Sequence, residues 1–169
     1  MSIRKQRGGL SERIVSLKLR IVPMALVMGT IFLLSHQSGD SLSLPTFPGA
    51  DKIAHMLAYG ALALTILWFF AKDGLLNPGR VVVYTTLFCL FYGISDEYHQ
   101  SFIALRSVSG LDLVADTAGA LCVALVWLTS LSLRSKIINF QQSLAIRLNS
   151  PYNNSVGSQR NGRHPNEEE

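Results

Sequence analysis

The sequence predicts an all-α integral membrane protein: an up-down-up-down bundle of four transmembrane helices with both termini in the cytoplasm. Three observations carry that prediction. Four apolar stretches recur along the chain, at about Ile21–Leu34, Ile53–Ala71, Val81–Ile94 and Leu113–Leu131. The composition is 49% hydrophobic with a mean hydropathy of +0.29, too apolar for an ordinary soluble fold of 169 residues. The basic residues are also unevenly placed. Thirteen of the fifteen Lys and Arg fall in the N-terminal segment, the Lys72–Arg80 link and the C-terminal segment, leaving only Lys52 and Arg106 in the other two links. The positive-inside rule then puts the basic segments in the cytoplasm and the links holding Lys52 and Arg106 outside. The same placement removes the need to explain the net charge of +4 by nucleic acid, which is not expected as a partner.

Each element follows from its own residues. The basic stretch 1–18 leads into a first helix with a short apolar run, and Pro23 is expected in its first turn, where proline does least damage. Ser35-His36-Gln37-Ser38 is a poor signal-peptidase site, so the helix is expected to stay uncleaved. Pro45 and Pro48 with Gly49 make the next link turn-rich. Asp73-Gly74 and Asn77-Pro78-Gly79 predict a tight hairpin between the second and third helices. Short links of this kind force neighbouring helices to run antiparallel. The bundle is expected to occupy 19–133. Over 134–148 an amphipathic cytoplasmic helix is expected, with Ile137, Ile138, Leu144, Ala145 and Leu148 as its apolar stripe, and over 149–169 a disordered tail. Cys89 and Cys122 form no metal or redox cluster and read as packing residues, as do the aromatics Trp68, Trp127, Tyr84 and Tyr92. Gly60, Gly93 and the Ala115–Gly119 pair would let helix backbones approach closely.

The chemistry gathers at one end of the spans. Asp51, His55 and Tyr59 recur at i, i+4 and i+8, on one helix face. Asp96, His99 and Gln100, at i, i+3 and i+4, share a face of the third span, with Glu97 adjacent but rotated away, and Asp112 and Asp116, at i and i+4, enter the fourth. Ionisable groups at a membrane boundary are costly unless paired or wetted, which makes them functional candidates. Arg106 is expected to pair with Asp112 or Asp96. The alternative is structural: Asp51 and Asp112 sit where first-turn acids stabilise helix N-termini.

Asp51-Lys52-Ile53-Ala54-His55, then Ser95-Asp96-Glu97-Tyr98-His99-Gln100-Ser101-Phe102, then Arg106, then Asp112 through Gly119 together resemble the VanZ-like family, over roughly Leu26 to Trp127. Family members usually carry Asn where this chain has Asp116, so this chain adds a negative charge there. The resemblance implies a small multi-pass protein of the bacterial cytoplasmic membrane, in a family named for a protein that confers low-level resistance to teicoplanin-type glycopeptides. It implies a role in the cell envelope on or near a lipid-linked cell-wall precursor, a lipoglycopeptide or another anionic ligand. The expected ligand-binding residues are Asp51, Tyr59, Gln100, Arg106, Asp112 and Asp116. The alternative function is an integral-membrane enzyme, with His55, Asp96, Glu97 and His99 as catalytic candidates for metal-dependent or acid–base chemistry on a lipid-linked substrate. His55, His99 and Asp96 are the candidate metal ligands, but no HExxH-type signature requires a metal.

Overall fold

The computed structural model describes residues 3–39, 47–70, 77–130, 132–144 and 147. Within them the chain is all helical: α1 (Ile3–Ser35), α2 (Ala50–Phe70), α3 (Pro78–Gln100), α4 (Gly110–Thr129) and a further helix, α5, over residues 132–144. Three helices are long and apolar enough to cross a membrane: α1 over Leu17–Ser35, α2 and α4. At 23 residues α3 is as long, but Arg80, Asp96 and Glu97 interrupt its apolar character. Ala145 and Leu148 of the expected amphipathic stripe, and the expected tail, lie outside the described residues.

Helix starts follow their caps. Asn77 caps α3 by accepting the Gly79 N–H at 2.8 Å, and Pro78 stands at the first helical position, where its missing N–H is not needed. Ser109 caps α4 by accepting from Leu111 N at 3.2 Å. The C-terminal end of α1, the N-terminal end of α2, the C-terminal end of α3 and the N-terminal end of α4 all meet in one layer, so successive helices run antiparallel. The most extensive pairing is α2 against α4. Its seam is built from small residues: Gly60, Ala63, Gly119, Ala120 and Ala124 are all buried. A Cβ built on Gly119 would stand 2.2 Å from the Met56 carbonyl oxygen. Many large side chains point outward, and Leu26, Leu57, Phe91 and Val114 are all more than 60% exposed, while Tyr59, Leu62 and Leu67 fill the interior. That arrangement suits a lipid surround, where association rests on close packing rather than on expulsion of water.

Pro23 departs from expectation. Because α1 begins at Ile3, the proline lies deep inside the helix rather than in its first turn. Proline has no N–H to give the carbonyl four residues back, which is that of Leu19. The Trp68 indole supplies the missing donor: its Nε1 donates to Leu19 O at 3.3 Å. Trp68→Phe is therefore expected to destabilise the fold by about 1–2 kcal/mol through the orphaned carbonyl. On a Pro23→Ala background the same change should cost less than half as much, measured by unfolding in detergent micelles. Equal costs on both backgrounds would show that the indole acts through its bulk alone.

The opposite end of the bundle from the polar layer is tied down at the end of α2. Arg20 donates to Phe69 O, with Nε at 2.8 Å, and Gln141 of α5 donates to Trp68 O. These are last-turn carbonyls, which have no partner within their own helix. Leu133 and Ile137 of α5 pack on the Leu67–Val81–Trp127 cluster.

Candidate functional site

Three side-chain groups occupy the polar layer, on different sides of α3. Between α1 and α3, Asp96 accepts from Ser35 Oγ at 2.9 Å and from Gln100 Nε2 at 3.2 Å, and Gln100 also reaches Ser35 Oγ at 3.2 Å. All three are buried. Asp96 and Gln100 are one helical turn apart, so a single α3 face supplies both. A cavity of about 130 Å3 opens beside them, bounded by Ser35, His55, Tyr59, Asp96, Gln100 and Arg106.

The second group lies where α2, α3 and α4 meet. Lys52 bridges Asp112 and Asp51, the latter at 3.0 Å. His55 Nδ1 lies 2.9 Å from Asp116 Oδ1, the ring N–H donating to a carboxylate that is fully buried. Glu97 Oε2 accepts the Ser109 backbone N–H at 2.9 Å, placing a carboxylate at the N-terminus of α4, where the helix dipole favours it. Gly93 makes room for this group: a Cβ there would meet Asp116 Oδ2 at 3.1 Å and the Tyr59 ring at 3.6 Å. Asp51, His55 and Tyr59 share one face of α2 as expected, descending from an exposed acid through a half-buried imidazole to a buried phenol.

The third group sits at the outer edge of α1. His99 Nε2 lies 3.3 Å from His36 Nδ1, and its ring lies 4.7 Å from that of Phe32. His99 thus faces α1, as Asp96 does, while Glu97 is rotated away toward α4, and it is on Glu97's side that His55 meets the acids of α4. Residues two apart on a helix differ by about 200°, so Glu97 and His99 cannot face the same neighbour. The expected ligand set of His55, His99 and Asp96 is accordingly not brought together.

Arg106 also departs from expectation. It donates from Nε to Gln37 O at 3.1 Å and from Nη2 to Leu34 O at 2.8 Å, closing the C-terminal end of α1. Lys52, not Arg106, is the cation on Asp112. The nearby Asp51 in the sequence was the signal that could have pointed to Lys52, which can reach both acids from the first turn of α2. Ser35 had no such signal, because its role depends on where α1 ends against α3.

A buried polar remainder is left over. Tyr59 Oη, Glu97 Oε1 and Asp116 Oδ2 have no hydrogen-bond partner. Such atoms are uncommon in native folds and are answered by water, an ion or another group; others among the described residues, such as Thr85 Oγ1 and Trp127 Nε1, lie away from this layer. The layer as a whole can position an imidazole against a carboxylate, present a guanidinium at a cavity rim and hold acids out of water.

Comparison with known proteins gives a consistent picture. The family model described as VanZ/LLP1 matches residues 4–133. Over 90 residues the chain is 31% identical to the uncharacterized protein C11E3.10 of Schizosaccharomyces pombe, a stretch covering 53% of this chain and 52% of that protein. The chain thus spans about half the length of this relative. No solved structure matches.

Proposed function

This chain belongs to the VanZ/LLP1 family, and on that premise we propose that it is a four-span membrane protein whose outward polar layer binds the anionic headgroup of a lipid or lipid-linked molecule. In this reading α3 is the fourth span. Its 23 residues would cover about 34 Å at 1.5 Å each, and Val83, Leu87, Phe91 and Ile94 turn outward as lipid-facing residues do. The distribution of basic residues supports cytoplasmic termini and an outward polar layer. Cysteine placed at Ser107 should label with an impermeant maleimide in intact cells, and cysteine at Ser158 should not. Labelling at Ser158 alone would invert the topology.

The observation that carries the ligand reading is the cavity beside Asp96, which has hydrogen-bonding groups from α1, α2 and α3 at the polar end of otherwise apolar helices. Arg106 at its rim and His55 in its wall are the groups that suit an anionic oxygen. Asp51, Tyr59, Gln100, Asp112 and Asp116 position them or the ligand. Tolerance of teicoplanin-type glycopeptides would be a consequence of headgroup binding and is tested by expressing the chain in a susceptible host. In native mass spectrometry the purified protein should retain one phospholipid of net negative headgroup charge in preference to a zwitterionic phospholipid of the same chains. His55→Gln should weaken retention at least tenfold. Indifference to headgroup charge would remove the proposal.

A second reading has one observation in its favour. The His55–Asp116 contact at 2.9 Å is the arrangement that holds an imidazole in one tautomer for proton transfer, as acid–base hydrolysis or group transfer on a lipid-linked substrate would require. Turnover of such a substrate, lost in His55→Gln, would establish it.

A further inference from the structure

Four carboxylates in the polar layer, those of Asp96, Glu97, Asp112 and Asp116, are each less than 8% exposed. Among the described residues Lys52 is the one ammonium or guanidinium paired with any of them, and Arg106 is turned to main-chain carbonyls. Buried acids in such excess either keep their protons or take a cation, since an uncompensated charge out of water is strongly disfavoured.

One place in the layer has the right donors. His55 on α2, Glu97 on α3 and Asp112 on α4 each offer a ligand atom, and the three atoms lie within 4.8 Å of one another. A point equidistant from corners at that separation lies about 2.8 Å from each, so closure to the 2.0–2.3 Å of a divalent metal needs only small side-chain movements. We propose that His55, Glu97 and Asp112 bind a divalent first-row metal ion of the Mn2+ or Zn2+ kind, with Asp116 orienting the imidazole.

Two independent features point the same way. Glu97 is 7% exposed, and its Oε1 has no partner while Oε2 holds the Ser109 N–H. A metal would answer that lone oxygen. His55 gives its Nδ1 to the fully buried Asp116, which leaves Nε2 as the free electron pair. This is the carboxylate–imidazole relay that metal-ligating histidines ordinarily carry, and its outer carboxylate is held by burial. One imidazole and two carboxylates suit a borderline-hard ion better than calcium, which prefers oxygen alone. Lys52 is the competitor. Its ammonium occupies Asp112 Oδ1, so the ion takes the other oxygen and feels the repulsion of the neighbouring charge.

The site shares His55 with the cavity proposed above to receive an anionic headgroup; with Nε2 on the metal, His55 would act on that headgroup through the ion, at the coordination positions that three protein ligands leave open. The inference rests on that reading only for what fills those positions. Metal binding is measured on protein without added ligand, so the two can fail separately.

The test is titration of chelator-stripped protein, in nanodiscs of zwitterionic lipid, with Mn2+ and with Zn2+. We expect one ion per chain, and imidazole nitrogen coupling to bound Mn2+ in electron spin-echo modulation. His55→Gln should abolish the coupling. Glu97→Gln, which keeps an acceptor for Ser109 N–H, should weaken binding at least tenfold. Lys52→Met should tighten it severalfold by removing the competing charge. His99→Ala, on the far side of α3, should change neither affinity nor coupling. No saturable binding of either ion, binding without nitrogen coupling in the unaltered chain, or equal weakening by His99→Ala and Glu97→Gln would each overturn the assignment. The wild-type spectrum decides the matter even where a variant fails to fold.

Discussion

Gly119→Leu should abolish folding of the bundle, and Gly119→Ala should already lower its stability by about 1–3 kcal/mol or more. A Cβ at this position would lie 2.2 Å from the carbonyl oxygen and 2.8 Å from the carbonyl carbon of Met56, and these are backbone atoms that no rotamer change can move. The helices would have to separate. Their closest approach is also what sets the site, since Met56 follows His55 and Gly119 lies three residues beyond Asp116, so separation there pulls the imidazole from its carboxylate. Gly29→Ala is the matched control. Nothing lies within 4 Å of a Cβ at Gly29, which is exposed on α1, and alanine is the better helix former. Its melting temperature should stay level or rise. A tolerated Gly119→Ala would mean that α2 and α4 do not cross at this point.

The second large effect is expected at His55. His55→Ala should destabilise the protein by about 3 kcal/mol or more, because it leaves Asp116 at 0% exposure with no donor. Asp116→Asn in the same chain should restore most of the loss, since a neutral amide does not carry the burial penalty of a carboxylate. The missing Cβ at Gly93 lets Asp116 lie against Tyr59 out of water, which is why losing its donor is costly. A thermal-shift series of the two single variants and the double variant measures the coupling. Additive effects would mean the pair contributes nothing as a pair. His55→Gln, which retains a donor for Asp116, separates the functional role from this structural one.

Arg106 illustrates how a charged residue changes meaning once its neighbours are known. Among acids, it reads from sequence as their counter-charge. In the fold its fork spans two carbonyls at the end of α1, 2.8 and 3.1 Å away. Lysine cannot reproduce a two-pronged donor set, so Arg106→Lys should lower stability by about 1–3 kcal/mol. A drop in headgroup retention beyond what the lost folded fraction explains would assign Arg106 a binding role as well. Retention falling only in step with stability would leave it a helix cap.

The sequence alone determined the helical class, the approximate positions of α1 to α4, the collection of acids and histidines at one end, and the glycines that permit close approach. These follow from local quantities: apolar run lengths, cap residues, and spacings of three and four along a helix. It also fixed which residues share a face, so Asp96 with Gln100 and Asp51 with His55 and Tyr59 were legible. It could not say which neighbour each face would meet. The 100° per residue of a helix gives relative directions around the axis but leaves its rotation against other helices free. That rotation is set by packing of the whole bundle. Only the tertiary structure therefore turned Glu97 toward α4 and His99 toward α1, gave Lys52 rather than Arg106 to Asp112, and brought the Trp68 indole to the carbonyl that Pro23 leaves unpaired.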